Sequence, residues 1–475
     1  MEEKKIKKFI KFLGYFLCIL FTVAGILVSI HRYKQFDVFY YDFGIYNQAI
    51  YKVSKFQTPI IDHYRVGGKH IFSDHFHPMI FLLSPLYWFS NDNQILLVAQ
   101  AVIVGIGALI LFRLALKKLR SPLASLAVLC SYIFYIGLQN AVITDFHPLV
   151  VATPVLILMY RAIINKDLKQ FIIFFLLMLL FKESLFVHGI GVAIFIYFYN
   201  KKWRKIAIGT AIFSLLYAFI SIKVIIAYFS DEQFAYVAHS FEQLKQIALY
   251  GLPTKITSTL KTFGSFAFIP LLNPSTLPIT LSNLFIRFVS KTGSEGVGMH
   301  YNAEIAPVLA ISVLLVLIKL EKRISKQLSV ILKKIKLSKT KFINLLSLLI
   351  ILNSLILYRF LLHGPFALAY NPAFYRHSQE FGFLENLVNK VPTDGVIMTQ
   401  NNLAVRFDHY DVKLLRINYE EFDPKYIVLD LRDGQNPNNF FNVGNIKEFV
   451  SKVKIDPNYE IFYKQGEQVI YSKIN

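Results

Sequence analysis

The sequence predicts an α-helical polytopic membrane protein carrying a small C-terminal α/β domain. The chain is 55% hydrophobic and 17% charged with a mean hydropathy of +0.47, a balance typical of chains solvated by lipid. Apolar runs of roughly the 20 residues needed to cross a hydrocarbon core about 30 Å thick recur along most of its length. Basic clusters sit between them at alternate boundaries, as short cytoplasmic loops require. A formal charge of +21 would serve a nucleic-acid partner only if gathered on one folded face; here Lys and Arg are spread between apolar runs, so no nucleic-acid role follows. Cys18 and Cys130 each lie inside an apolar run, where they behave as small hydrophobes and predict no disulfide.

The first element is MEEKKIKKFIKF followed by the run 13–30. Its apolar length exceeds that of a signal peptide and no small-residue cleavage site follows, so it reads as a retained first span with a cytoplasmic N-terminus. Further runs bounded by charge cover 93–112, 122–138, 147–163, 168–182, 184–199, 206–229, 256–272, 275–290, 303–319 and 343–362, giving about eleven transmembrane helices, several short enough to tilt or re-enter. With the N-terminus inside, alternation puts RLALKKLR (113–120), RAIINKDLK (161–169), NKKWRK (200–205) and the strongly basic 319–341 inside as well. The expected location is therefore the plasma membrane, multi-pass. Residues 1–362 form the spanning domain with outer loops 31–92, 230–255 and 291–302, and residues 363–475 form a soluble domain on the outer face. In that domain SQEFGFLENLVNKVP has the period of an amphipathic helix, while GVIMTQNN, KYIVLDL, YEIFYK and QVIYSK read as strands.

The outer segments hold most of the acids and histidines. Asp42, in FDVFYYDFGIYNQAIYK, is ringed by aromatic residues. It reads equally as a cap for the helix that follows, in an interfacial aromatic belt, and as a functional acid, because a carboxylate near lipid is costly without a partner or a task. SDHFHP supplies Asp74, His75 and His77, and TDFHP supplies Asp145 and His147. Imidazole and carboxylate together suit a divalent metal or proton transfer, with His75 and His77 the metal candidates; equally, each His-Pro starts a helix. LLFKESLFVHG places Lys182, Glu183 and His188 where two short apolar runs meet. Lys182, backed by Arg65 and Arg287, is the candidate phosphate-holding cation, and a structural Lys-Glu pair is the plain alternative. The loop GSEGVGMHYNAEIAP brings Glu295, His300, Tyr301 and Glu304 to the same outer face; without a strand-loop-helix setting or a Lys-Ser/Thr it is no nucleotide-binding loop.

Taken as an ordered set, FDVFYYDFGIYNQAIY, HFHPMIFLLSPLYWF, DFHPLVVATPVLILMYRA, FKESLFVHGIGVAIF, GMHYNAEIAPVL and MTQNNLAVRF resemble an uncharacterised family of prokaryotic membrane proteins. The resemblance covers roughly residues 36–430. That family is similar in layout to the GT-C membrane glycosyltransferases. The resemblance implies a GT-C-like fold, a catalytic acid in the first outer loop, and a polyprenyl-phosphate-linked sugar as donor. Asp42 occupies the matching place as general base, with Asp74 as the second acid where relatives carry a pair. Lys182, Glu183, Arg65, His300, Tyr301, Asp145 and His147 would line the substrate. A metal stays open, since some GT-C enzymes need none. The rival reading is a transporter or flippase of a lipid-linked or polar solute using Asp and His as proton relays. It would call for paired broken helices in the two halves of the chain, whereas most charged residues here crowd one face.

Overall fold

The computed structural model describes residues 2–61, 66–230, 234, 236, 240–290, 296–323 and 326–474. Six helices among them are long and apolar enough to cross a membrane: Lys4–Lys34, Gln94–Lys118, Pro148–Asn165, Lys201–Phe229, His300–Lys322 and Lys339–Leu361. A seventh span results if Pro122–Ile133 and Ile136–Ile143, bent by 48° at their junction, count as one. The expected eleven is therefore not reached. The runs 168–182, 184–199 and 275–290 fold as the shorter helices Leu168–Leu179, Leu185–Tyr199 and Leu277–Phe288. Their 12, 15 and 12 residues rise only about 18–23 Å, too little for a full crossing. The run 256–272 falls on Leu252–Ser265 and a 3-10 turn, Ile269–Leu272, with polar residues spaced through it.

The bundle is organised around His300–Lys322, 83% of whose apolar window is buried in protein, while Lys201–Phe229 at 17% forms a lipid-facing edge. The first span packs along Gln94–Lys118 because small residues let the two backbones close: a Cβ on Gly105 would collide with Thr22 Oγ1.

The two ends of the bundle differ. At one end the backbone N–H of Arg120 donates to the Glu321 carboxylate at 2.9 Å and Ser121 Oγ donates to Asn344 Oδ1 at 2.8 Å, so the basic connections 113–120 and 319–341 lie together. At the other end Arg32 donates to Ile143 O at 2.9 Å, Phe366 N–H to Gln139 Oε1 at 3.1 Å, and Gln35 to Phe374 O at 2.8 Å. This second end carries both the segment after the first span and the C-terminal domain.

Two short strands, β1 (Ile60–Ile61) and β2 (Lys69–His70), pair antiparallel at that end. The C-terminal domain is a five-stranded sheet of β3 (Ile397–Thr399), β4 (Val412–Leu414), β5 (Tyr426–Asp430), β6 (Tyr459–Gln465) and β7 (Gln468–Lys473), in the order β4-β3-β5-β7-β6. β3 runs parallel to β4 and β5; β7 is antiparallel to β5 and β6. The four strands read from the sequence are present, and β4, only three residues long, is additional. SQEFGFLENLVNKVP is not one helix but the end of Pro372–Gln379 followed by Gly382–Val388.

The sheet is covered on both faces. Met398, Ile427, Leu429 and Tyr471 pack with Phe449 and Val453 of the helix Ile446–Ile455. On the opposite face Ile397, Leu414, Val428 and Ile470 join the same core as the membrane helices. The domain is docked on the bundle by apolar burial and does not hang from it.

Candidate functional site

Asp42 lies in a π-helical turn, Tyr40–Gly44, that leads into the helix Ile45–Ser54. The cap reading fails, since neither helix start has a side-chain cap and the Asp42 carboxylate hydrogen-bonds none of the described residues. Burial pushes its pKa above the ordinary carboxylate value, opposed by Lys182 and His75 and reinforced by Asp74. All three are among the candidates that the sequence offers.

Around Lys182 the chain breaks between Leu168–Leu179 and Leu185–Tyr199. The break leaves Lys182 and Glu183 buried, where a helix of full length would have carried them past the site. Glu183 takes Nδ1 of His75 at 2.9 Å on one oxygen and the backbone N–H of Phe76 at 3.0 Å on the other. Burial alone would raise the Glu183 carboxyl; His75 and Lys182 outweigh it and hold it at about 2. The Lys182 ammonium is buried and hydrogen-bonds none of the described residues. The expected Lys-Glu structural pair is thus a His75–Glu183 pair beside an uncommitted cation. Tyr236 completes the edge, donating to Asp74 Oδ1 at 2.8 Å and stacking on His75 at 4.5 Å.

His75, Lys182, Glu183, Arg287, Tyr301 and Glu304 are the polar side of a cavity of about 750 Å³ whose remaining lining is mainly apolar. Arg287, buried, donates to Asn302 Oδ1 at 3.1 Å and to Gly296 O at 2.8 Å, which ties the glycine-rich loop to Leu277–Phe288. A greasy pocket with cations at one end suits an amphiphile with an anionic head.

Behind the cavity stands a row of rings. Tyr46 packs edge-on against His77 at 5.2 Å and His147 at 5.6 Å, and His147 stacks on His300 at 3.5 Å. Both His-Pro pairs do start helices, with His147 Nδ1 accepting from Leu149 N–H at 3.3 Å. Burial drives the His77 pKa well down, with His75 adding to the effect, so its ring is neutral. Neither ring nitrogen of His300, nor Nδ1 of His77, nor Oδ1 of Asp145 has a hydrogen-bond partner among the described residues. Buried polar atoms in that state wait for water or ligand. Asp145 sits at φ +54 and accepts from Phe39 N–H at 3.3 Å; burial, opposed by Arg32 and helped by Asp42, raises its pKa to about 8.

The structure thus gathers Asp42, Asp74, His75, Lys182, Glu183, Tyr301, Asp145, His147 and His300 at one end of the bundle. Arg65 and Glu295 lie outside the described residues. His75 and His77, the metal candidates, lie 6.5 Å apart between ring centroids, with Nδ1 of His75 on Glu183. No group of three or more His, Cys, Asp or Glu able to hold a metal ion occurs among the described residues. Tyr236, which donates to Asp74, and Asn401, whose Oδ1 accepts from Tyr41 N–H at 2.9 Å, were not legible as site residues: Asn401 lies inside the stretch MTQNNLAVRF, but no local pattern tells which segment its side chain meets.

Fold and site define a polytopic membrane protein with a charged pocket at one end of its bundle. More narrowly, the chain belongs to the family described as Predicted membrane protein (DUF2079), whose model matches residues 32–470. No curated protein matches it.

Proposed function

We propose that this protein is a membrane glycosyltransferase of GT-C-like layout that moves a sugar from a polyprenyl-phosphate donor to an extracytoplasmic acceptor. The observation that carries the reading is Lys182, which lies on the polar side of the apolar cavity and is close enough to Asp42 to pull down a carboxyl pKa that burial raises. The lipid chain occupies the apolar lining and the phosphate faces Lys182, with Arg287 nearby. The unpartnered nitrogens of His77 and His300 are further candidates to meet the donor's head.

In the reaction, Asp42 takes the proton of the acceptor hydroxyl as that oxygen bonds to the anomeric carbon. The bond from that carbon to the phosphate oxygen breaks, and the lipid phosphate leaves with its electron pair against the Lys182 ammonium. A carboxyl raised by burial is a better base than one in water, and a buried cation gains most from charge that develops late. Because Asp42 must be ionised, the transfer rate rises with pH through its folded pKa, which lies above the ordinary carboxylate value. Asp74, held by Tyr236, stays beside it as the second acid.

The test uses membrane vesicles given radiolabelled polyprenyl-phosphate sugars. Asp42→Asn should lower transfer by about 10²–10⁴-fold, the usual worth of a general base. Transfer that survives the substitution removes Asp42 from the role, and no transfer with any donor points to transport.

A further inference from the structure

The Asp42 turn has no cap of its own. Phe39 stands at its N-cap position and offers no side-chain acceptor. The backbone N–H of Tyr41, one residue from Asp42, instead donates to Oδ1 of Asn401 at 2.9 Å, 360 residues away in the chain. Asn401 is buried and begins the short helix Asn401–Ala404 at the carboxyl end of β3.

The same stretch of the C-terminal domain grips the other side of the turn. Asp408, fully buried, accepts from Asn47 Nδ2 at 2.9 Å and from Asn93 Nδ2 at 2.7 Å. Tyr410 O accepts from Gln48 Nε2 at 3.1 Å, and Gln48 in turn accepts from Tyr40 OH at 2.7 Å. Arg406 donates to Tyr33 O at 2.9 Å with its guanidinium 3.6 Å over the Tyr33 ring, and His409 stacks on Tyr51 at 3.7 Å. Residues 401–410 therefore hold the chain before, at and after Asp42.

From this we infer that the C-terminal sheet is a clamp that sets the position of Asp42, with Asn401 as the positioning residue acting through the Tyr41 amide. The inference rests on the proposed role of Asp42 only for its catalytic consequence; the clamp itself is a statement about where residue 42 lies. The turn closes its own later amides, Phe43 and Gly44 N–H onto Phe39 O and Ile45 N–H onto Tyr40 O, but the Tyr41 amide at its open start takes a side-chain acceptor from the C-terminal domain.

The experiment reads that position directly. In full-length chains carrying Asp42→Cys, residue 42 is reacted with a membrane-impermeant maleimide; Cys18 and Cys130 are buried, so the parent chain sets the background. Asn401→Leu, which keeps the branched shape and loses the acceptor, should speed labelling by about tenfold, the scale of one backbone hydrogen bond. Asn401→Asp, which keeps the acceptor oxygen, should stay within about twofold of the unsubstituted Asn401 chain. Equal rates with and without Asn401→Leu overturn the inference, as does an Asp variant that labels as fast as the Leu variant. Should the Leu variant fail to accumulate, Asn401→Ala makes the same comparison. With Asp42 intact, loss of transfer in Asn401→Leu and its rescue in Asn401→Asp links clamp to catalysis. Labelling that responds while no chain transfers sugar keeps the clamp and removes the transferase.

Discussion

Glu183 keeps its charge in a buried place because His75 and Lys182 face it, with His75 and the Phe76 amide hydrogen-bonded to its two oxygens. Its folded pKa, about 2 against an ordinary 4.5, is depressed, so the pairing contributes stability that is present above the ordinary value and lost as pH falls toward 2. The shift corresponds to about 3 kcal/mol. Glu183→Gln should therefore lower the Tm of the purified chain in lipid nanodiscs at neutral pH, with a loss of about 3 kcal/mol from leaving His75 without its partner. The gap between variant and wild type should narrow as the buffer is acidified below about pH 4.5. A gap that is the same at both pH values would mean the pair carries no linked charge.

At the scale of elements, the site depends on two helices that stop short. Leu185–Tyr199 crosses Leu277–Phe288 at Gly191, where a Cβ would lie 2.7 Å from the Ile279 Cα. Backbone cannot yield as a flexible side chain can, so Gly191→Ala should cost about 1–3 kcal/mol and lower the Tm. Gly209, on the lipid-facing Arg204–Phe219 helix, has nothing within 4 Å of its would-be Cβ. Gly209→Ala should leave the Tm unchanged or raise it, because Ala is the better helix former by about 1 kcal/mol. Equal losses in the two variants would show that the crossing is not closed by Gly191. Because Lys182 lies in the break that leads into Leu185–Tyr199, Gly191→Ala should also weaken transfer.

For the whole molecule, counting the bent pair Pro122–Ile133 and Ile136–Ile143 as one crossing gives seven spans, an odd number like the eleven expected from the sequence. If the short helices Leu168–Leu179 and Leu185–Tyr199 together start and end on one side, leaving them out as crossings does not alter the alternation. We therefore propose that the N-terminus and the basic connections face the cytoplasm, while Asp42 and the docked sheet face outward. Single cysteines at Phe56 and Gly434, both exposed, should label from outside in intact cells. Cysteines at Lys166, Lys202 and Lys333 should label only after permeabilisation. Phe56 and Gly434 appearing on opposite sides would end the proposal, since the hydrogen bond from Tyr41 to Asn401 requires both segments on one face.

Local chemistry alone determined membrane residence, the basic and non-basic ends, the strands β3, β5, β6 and β7, and the clustering of Asp42, Asp74, His75, Lys182 and Glu183 on one side. Apolar runs and charge bias are read by the bilayer residue by residue, so they are visible in any short window. Helix length was decided elsewhere: the runs at 168–182, 184–199 and 275–290 are apolar enough, but their helices are only 12, 15 and 12 residues long. Tertiary structure also decided that Glu183 pairs with His75 instead of Lys182, and that Asn401 and Asp408 reach the Asp42 turn. Those contacts join residues 108, 360 and 361 positions apart, and no local pattern encodes a partner at that separation; only burial of the sheet against the bundle brings them within reach.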